Sequence, residues 1–122
     1  MKTILIIGIA LISVFAVLFV VKSIFFTSSA SQKSHTVVLT ADGFQPELTK
    51  IKKGERITFK TAAGKPFWPA SDIHPTHGIY PEFDPKEAIS ASKTWSFKFD
   101  KVGRWSYHDH LAPYFTGKIV VK

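Results

Sequence analysis

The sequence predicts an all-β sandwich forming one small domain, carried behind a single N-terminal transmembrane helix. Three observations lead there. An uncharged apolar run opens the chain. Short segments of alternating β-branched and aromatic residues, separated by Gly, Pro and Asp, fill the remainder. No segment after the apolar run shows a helical period. The chain has 122 residues, and setting the first thirty or so aside leaves enough for one small domain.

The apolar run extends from Ile4 to Val21, between Lys2 and Lys22. As a helix it reaches about 27 Å, close to the roughly 30 Å hydrocarbon core of a bilayer. A cleavable signal has a shorter apolar region, about 7–15 residues, so an uncleaved anchor over residues 1–26 is the favoured reading. Ser28-Ser29-Ala30 offers small residues for a signal peptidase, which keeps a secreted form as the alternative. The amino terminus and Lys2 outweigh Lys22, which places the domain on the extracytoplasmic side. Residues 27–34 are Ser-rich and read as a flexible linker; the domain spans 35–122.

Within the domain, His35 to Thr40 is β-branched and stops at Asp42-Gly43, a turn signal. Phe44 to Lys52 carries Pro46, which limits it to an edge or irregular strand. Gly54 turns the chain into Arg56-Ile57-Thr58-Phe59-Lys60, which alternates. Ala62 to Ala91 holds five prolines and no period. Loops this long in compact domains usually serve a function. Lys93 to Phe99 alternates again with Trp95, Phe97 and Phe99 on one face, and Arg104 to His108 puts Trp105 and Tyr107 together. These aromatics read as core. Thr116 to Val121 is the last strand. Several short strands joined by turns fit a sandwich or barrel.

The chain has no cysteine, so neither a disulfide nor a thiolate metal ligand is available. From Ser31 onward there are 14 Lys/Arg against 9 Asp/Glu, leaving a charge of +5. The lysines are scattered along the chain, only Lys50, Lys52 and Lys53 cluster, and arginines number two. Nucleic-acid binders concentrate charge in an Arg-rich stripe. The composition therefore argues against a nucleic-acid partner and fits a charged surface near anionic lipid.

Four of the five histidines fall in two tight groups. In Ile73-His74-Pro75-Thr76-His77-Gly78, Pro75 disfavours a helix, and two imidazoles three apart in a turn can face one centre. In Tyr107-His108-Asp109-His110, residues two apart on a strand share a face about 6.5–7 Å apart along the chain. Both spacings suit a metal that accepts imidazole, copper or zinc. Asp72 and Asp109 are the nearest carboxylates able to orient an imidazole from behind. Each pair alone is a weak signal; two pairs in a histidine-poor domain are a stronger one. The isolated His35 reads as an ordinary side chain. Phe67-Trp68-Pro69, in the long loop, is placed to wall the site.

The run Gly43-Phe44-Gln45-Pro46, then Ile51, Gly54 and Ile57-Thr58-Phe59, resembles the opening strands of the small blue-copper domains, the plastocyanin-type cupredoxins. Phe99-Asp100-Lys101-Val102-Gly103-Arg104-Trp105-Ser106-Tyr107 resembles the strand leading into their copper loop, and Thr116-Gly117-Lys118-Ile119-Val120-Val121 their final strand. The resemblance runs from about Thr36 to the C-terminus and implies a cupredoxin-like Greek-key β-sandwich. It departs at the chemistry. The blue-copper Cys position falls on Asp109, and the sole Met is Met1, so this chain alone forms no thiolate site. Ile73-His74-Pro75-Thr76-His77-Gly78-Ile79 is similar to the I-H-x-H-G-I run of multicopper oxidases, with one extra residue. Gly103-Arg104-Trp105-Ser106-Tyr107-His108-Asp109-His110 is similar to their G-T-x-W-Y-H-x-H run. That similarity implies copper-ligand roles for His74, His77, His108 and His110. It does not imply the oxidase activity.

Three functions follow. The leading one is a membrane-anchored copper-binding protein, without enzymatic activity, that stores copper or exchanges it with a donor or acceptor protein. The second is a redox protein or small oxidase-like enzyme with a type 2-like centre and a redox partner. The third is a metal-free interaction sandwich.

Overall fold

The computed structural model describes residues 33–122. The expected transmembrane helix and most of the expected linker lie outside the described residues. Among the described residues, no helix is long and apolar enough to cross a membrane.

Among the described residues, eight strands form two four-stranded sheets. They are β1 (Ser34–Thr40), β2 (Gly43–Gln45), β3 (Leu48–Ile51), β4 (Arg56–Thr61), β5 (Pro69–Ser71), β6 (Trp95–Lys98), β7 (Gly103–Asp109) and β8 (Ala112–Val121). One sheet runs β2-β1-β4-β6, the other β3-β8-β7-β5. Strand pairing follows the alternation in the sequence. Val37 and Leu39 in β1, and Ile57 and Phe59 in β4, point inward and are buried. Trp95 and Phe97 of β6 are half-buried against that core, and Phe99 just beyond is fully buried.

Pro46 explains the break between β2 and β3. Proline has no N–H for a ladder, and the segment around it splits into two short edge strands, one in each sheet. At Gly43 the backbone has φ 118°, a region L side chains avoid, and Thr40 Oγ1 donates to Gly43 O at 2.9 Å to close the turn.

The core is aromatic. Tyr107 packs on Phe44, Phe59 and Phe83 at ring distances of 4.8, 5.6 and 5.5 Å. Rings of this size carry most of the burial in a small domain. The long loop is less irregular than its sequence suggests. It contains β5, which pairs antiparallel with β7, and Phe67 and Phe83 from it are fully buried. Three residues, Pro-Ala-Ser, show no alternation because all are buried.

The sandwich has two unlike ends. One gathers the start of β1, the end of β3, the start of β4 and the end of β8. The other gathers the end of β7, the start of β8, the end of β1 and the loop around β5.

Candidate metal centre

The second end holds all four clustered histidines. Tyr107 enters the core, so the next residue, His108, projects from the opposite side of β7. There Asp72 and the His74–His77 turn cover it. His108 is 2% exposed. The ladder between β7 and β8 shifts register between His108 and Asp109, and β7 stops at Asp109. His110 therefore lies just past the strand end, not on a regular strand, and its N–H donates to Trp68 O at 2.8 Å.

The turn carrying His74 and His77 is pinned from below. Ser71, fully buried, has its Oγ 2.8 Å from His77 O and 2.9 Å from Tyr80 O. The His77 N–H bonds Ile73 O, and the Ile79 N–H bonds Asp72 O. These contacts hold His77 at φ 56°, a left-handed conformation that histidine tolerates better than most residues.

One ligand-capable nitrogen each from His74, His108 and His110 lies within 4.8 Å of the others. Nitrogens sharing one ion at about 2 Å are at most about 4 Å apart, so side-chain movements of under about an ångström close the set. His77 lies beside this group rather than in it. Its ring lies 4.8 Å from His110 and 5.3 Å from His108, and its Nε2 is 2.9 Å from His110 Nδ1.

Two carboxylates orient these rings. His108 Nδ1–H donates to Asp72 Oδ1 at 2.7 Å, and His77 Nδ1–H donates to Asp84 Oδ2 at 2.7 Å. A carboxylate only accepts, so each imidazole keeps its lone pair on Nε2. His108 Nε2 is buried and has no hydrogen-bond partner. Burial pushes the Asp84 carboxyl up, but hydrogen bonds from His77, Lys86 and Trp68 outweigh it and hold Asp84 well below the usual carboxylate range. Burial lowers His110 from its ordinary value, and the neighbouring histidines add to this. At neutral pH its ring is therefore uncharged, as a ligand must be.

Asp72 sits against His108 as the sequence predicts, whereas Asp84 has no sequence signal because its tie to His77 is a contact across the loop rather than a spacing. The sequence also predicts Asp109 as an orienting carboxylate. The hydrogen bonds of Asp109 run instead to backbone: its Oδ1 accepts the N–H of Trp68 at 2.8 Å and of Leu111 at 3.3 Å. Trp68 lies where a wall was expected. Its ring is 4.5 Å from His110, and its Nε1–H donates to Asp84 Oδ1 at 2.8 Å. His35 stands apart at the opposite end, 3.0 Å from Glu55.

A family model described as a cupredoxin-like domain matches residues 8–121. No curated protein shows significant similarity to the chain. Among solved structures, a purple cupredoxin from Nitrosopumilus maritimus superimposes with TM-score 0.63 at 16% identity, over 72% of this chain and 99% of that one. A reduced tryptophan-to-tyrosine variant of amicyanin gives TM-score 0.63 at 18% identity, over 78% and 88%. A methionine-to-alanine variant of amicyanin in its Cu(I) form gives 0.63 at 19%, over the same shares. At these identities the superpositions speak to the fold.

Proposed function

The chain belongs to the cupredoxin-like domain family, and from that premise we propose a membrane-anchored, extracytoplasmic copper-binding protein with His74, His77, His108 and His110 as ligands. One observation carries the reading. A buried imidazole with its Nδ1–H held by Asp72 leaves a lone pair on Nε2 with no protein partner, beside three more imidazoles. An unmet acceptor of this kind is costly without a ligand, and a metal ion meets it.

Copper is favoured over zinc on two grounds. Divalent copper binds a nitrogen site more tightly than zinc, and a cupredoxin-like neighbour is a Cu(I) form. All-imidazole ligation lacks the thiolate of a blue-copper centre, because Asp109 takes the Cys position. When bound, such copper supplies a weakly coloured, nitrogen-ligated centre. The chain's own contribution is orientation: Asp72 and Asp84 fix two rings, and Trp68 covers His110.

The histidines are graded in exposure. His108 and His77 are buried, His110 is half-buried and His74 is exposed. The exposed ring lets copper enter and leave from solvent while the buried rings hold position, which suits copper storage and delivery to a partner protein. The same open side favours a second reading, a redox or oxidase-like centre with an exchangeable position.

The test is copper uptake by the full chain in detergent, with electron paramagnetic resonance of the Cu(II) form. The wild type is expected to retain copper with a nitrogen-ligated type 2 signal. Wild-type uptake by the variant His108→Ala/His110→Ala overturns the site. Turnover of an oxidant or of oxygen by the loaded chain moves the assignment to the second reading.

A further inference from the structure

The lysines look scattered in the sequence, but the strand topology collects several at the end opposite the histidines. The parallel pairs β1–β4 and β3–β8 bring the start of β1, the start of β4 and the ends of β3 and β8 to one pole. Lys33, Lys50, Lys52, Lys53, Arg56 and Lys122 are all exposed there. Four of them, Lys33, Lys50, Lys52 and Lys122, line one cavity of about 330 Å³ together with His35 and Glu55. Glu55 is the acid in that cavity. It is held by His35 at 3.0 Å and by the Lys52 N–H at 2.8 Å, and Lys33 is the lysine whose charge acts on it. Asp100, on the same end, is 3.3 Å from Lys98.

We propose that this basic pole is a docking surface for anionic phospholipid headgroups. The occupant follows from where the chain enters. β1 begins at Ser34 on this pole, and only residues 22–33 separate it from the apolar run that ends at Val21. Twelve residues reach at most about 40 Å when extended, so an anchored domain stays beside the bilayer. Positive side chains next to an anionic leaflet are drawn to it over about one Debye length. Docked by this pole, the domain turns the histidine end away from the lipid, toward soluble copper donors and acceptors. The inference rests on the anchored reading of residues 1–26 and not on copper.

The experiment uses the full chain in lipid nanodiscs, of phosphatidylcholine alone or with phosphatidylglycerol. Lysine acylation rates are read residue by residue by mass spectrometry. In the anionic discs, Lys33, Lys50, Lys52, Lys53 and Lys122 are expected to label at least about five-fold more slowly. Lys60 and Lys65, away from this pole, are expected to label alike in both discs. Salt at about 0.5 M is expected to erase the difference. Equal rates at the pole in both lipids overturn the proposal. So does equal protection by millimolar inorganic phosphate over neutral lipid, which makes the cavity a small-anion site. The variant Lys50→Glu/Lys52→Glu is expected to lose protection at Lys33 and Lys122 while keeping wild-type copper uptake; retained protection counts against the surface. A chain that does not remain with the discs overturns the docking and the anchor together, whereas loss of copper binding alone leaves both standing.

Discussion

Asp72 Oδ1 lies 2.7 Å from His108 Nδ1 and thereby decides which nitrogen of a buried imidazole faces the other histidines. Backbone bonds from the Asp72 N–H to Ser106 O and from the Ile79 N–H to Asp72 O fix the carboxylate in turn. Replacing Asp72 with Ala frees the His108 ring to rotate and to take the other tautomer. Copper affinity is expected to fall about 10–100-fold, read by competition against a chromophoric chelator. Asp72→Asn keeps an acceptor and is expected to lose less. An affinity unchanged in Asp72→Ala removes the orienting role.

Copper is expected to stabilise the folded chain, because the four imidazoles are assembled only in the native state. At a free copper concentration of 100 Kd the gain is about 2.7 kcal/mol. For a domain of this size that corresponds to roughly 10–20 °C in melting temperature. Thermal melts followed by circular dichroism, with Cu(II), Cu(I) and Zn(II), measure it. If no metal shifts the melt, the metal-free interaction sandwich becomes the better reading.

A third expectation concerns the core beneath the site. Tyr107 Oη is buried and has no partner, and burial pushes its hydroxyl far above the ordinary tyrosine value. Tyr107→Phe removes an unmet polar group and leaves the ring contacts in place. Stability is expected to rise by about 1 kcal/mol. Gly117 is the cross-strand partner of Tyr107, and a Cβ there would sit 2.4 Å from Oη. Both atoms lie in the packed core, so Gly117→Ala is expected to destabilise by roughly 1–3 kcal/mol. Denaturant titration of both variants checks the pair of signs; a stabilised Gly117→Ala contradicts the packing described.

How much of this was legible in the sequence depends on whether the signal is local. Strands β1, β4 and β6 were readable because each has a more buried and a wetter face, so apolar residues alternate, and β7 was readable through Trp105 and Tyr107 although both its faces are buried at its end. β5 was not, since Pro69, Ala70 and Ser71 are buried together and owe their extended form to pairing with β7. The histidine pairs were visible as spacings, and the structure brings His74, His108 and His110 to one point with His77 beside them. Asp84 was invisible, because it lies in the long proline-rich loop and its tie to His77 exists only once that loop has folded. Asp109 misled for a related reason: adjacency in sequence to two histidines does not bring its carboxylate to their rings. The basic pole was also hidden, since parallel strand pairing joins lysines far apart in the chain.

The last expectation is that the metal-free chain loses stability in acid in two steps. His110 is held below its ordinary value by burial and by its histidine neighbours. In the unfolded chain it titrates near 6.5. Between the folded and unfolded values the unfolded chain binds more protons, so stability falls as pH drops below about 6.5 and is fully present above it. Asp84 adds a second loss at lower pH. Burial raises its carboxyl, but the hydrogen bonds from His77, Lys86 and Trp68 win and keep it below its ordinary value of 3.8. Its contribution is present above that value and is lost as pH falls through the depressed one. Urea titrations of the copper-free full chain from neutral pH into the acid range measure the profile. His110→Asn is expected to flatten the upper step and Asp84→Asn the lower. Stability that holds constant or rises from pH 7 to the mid-fives contradicts the half-buried, neutral His110 on which copper binding at neutral pH depends.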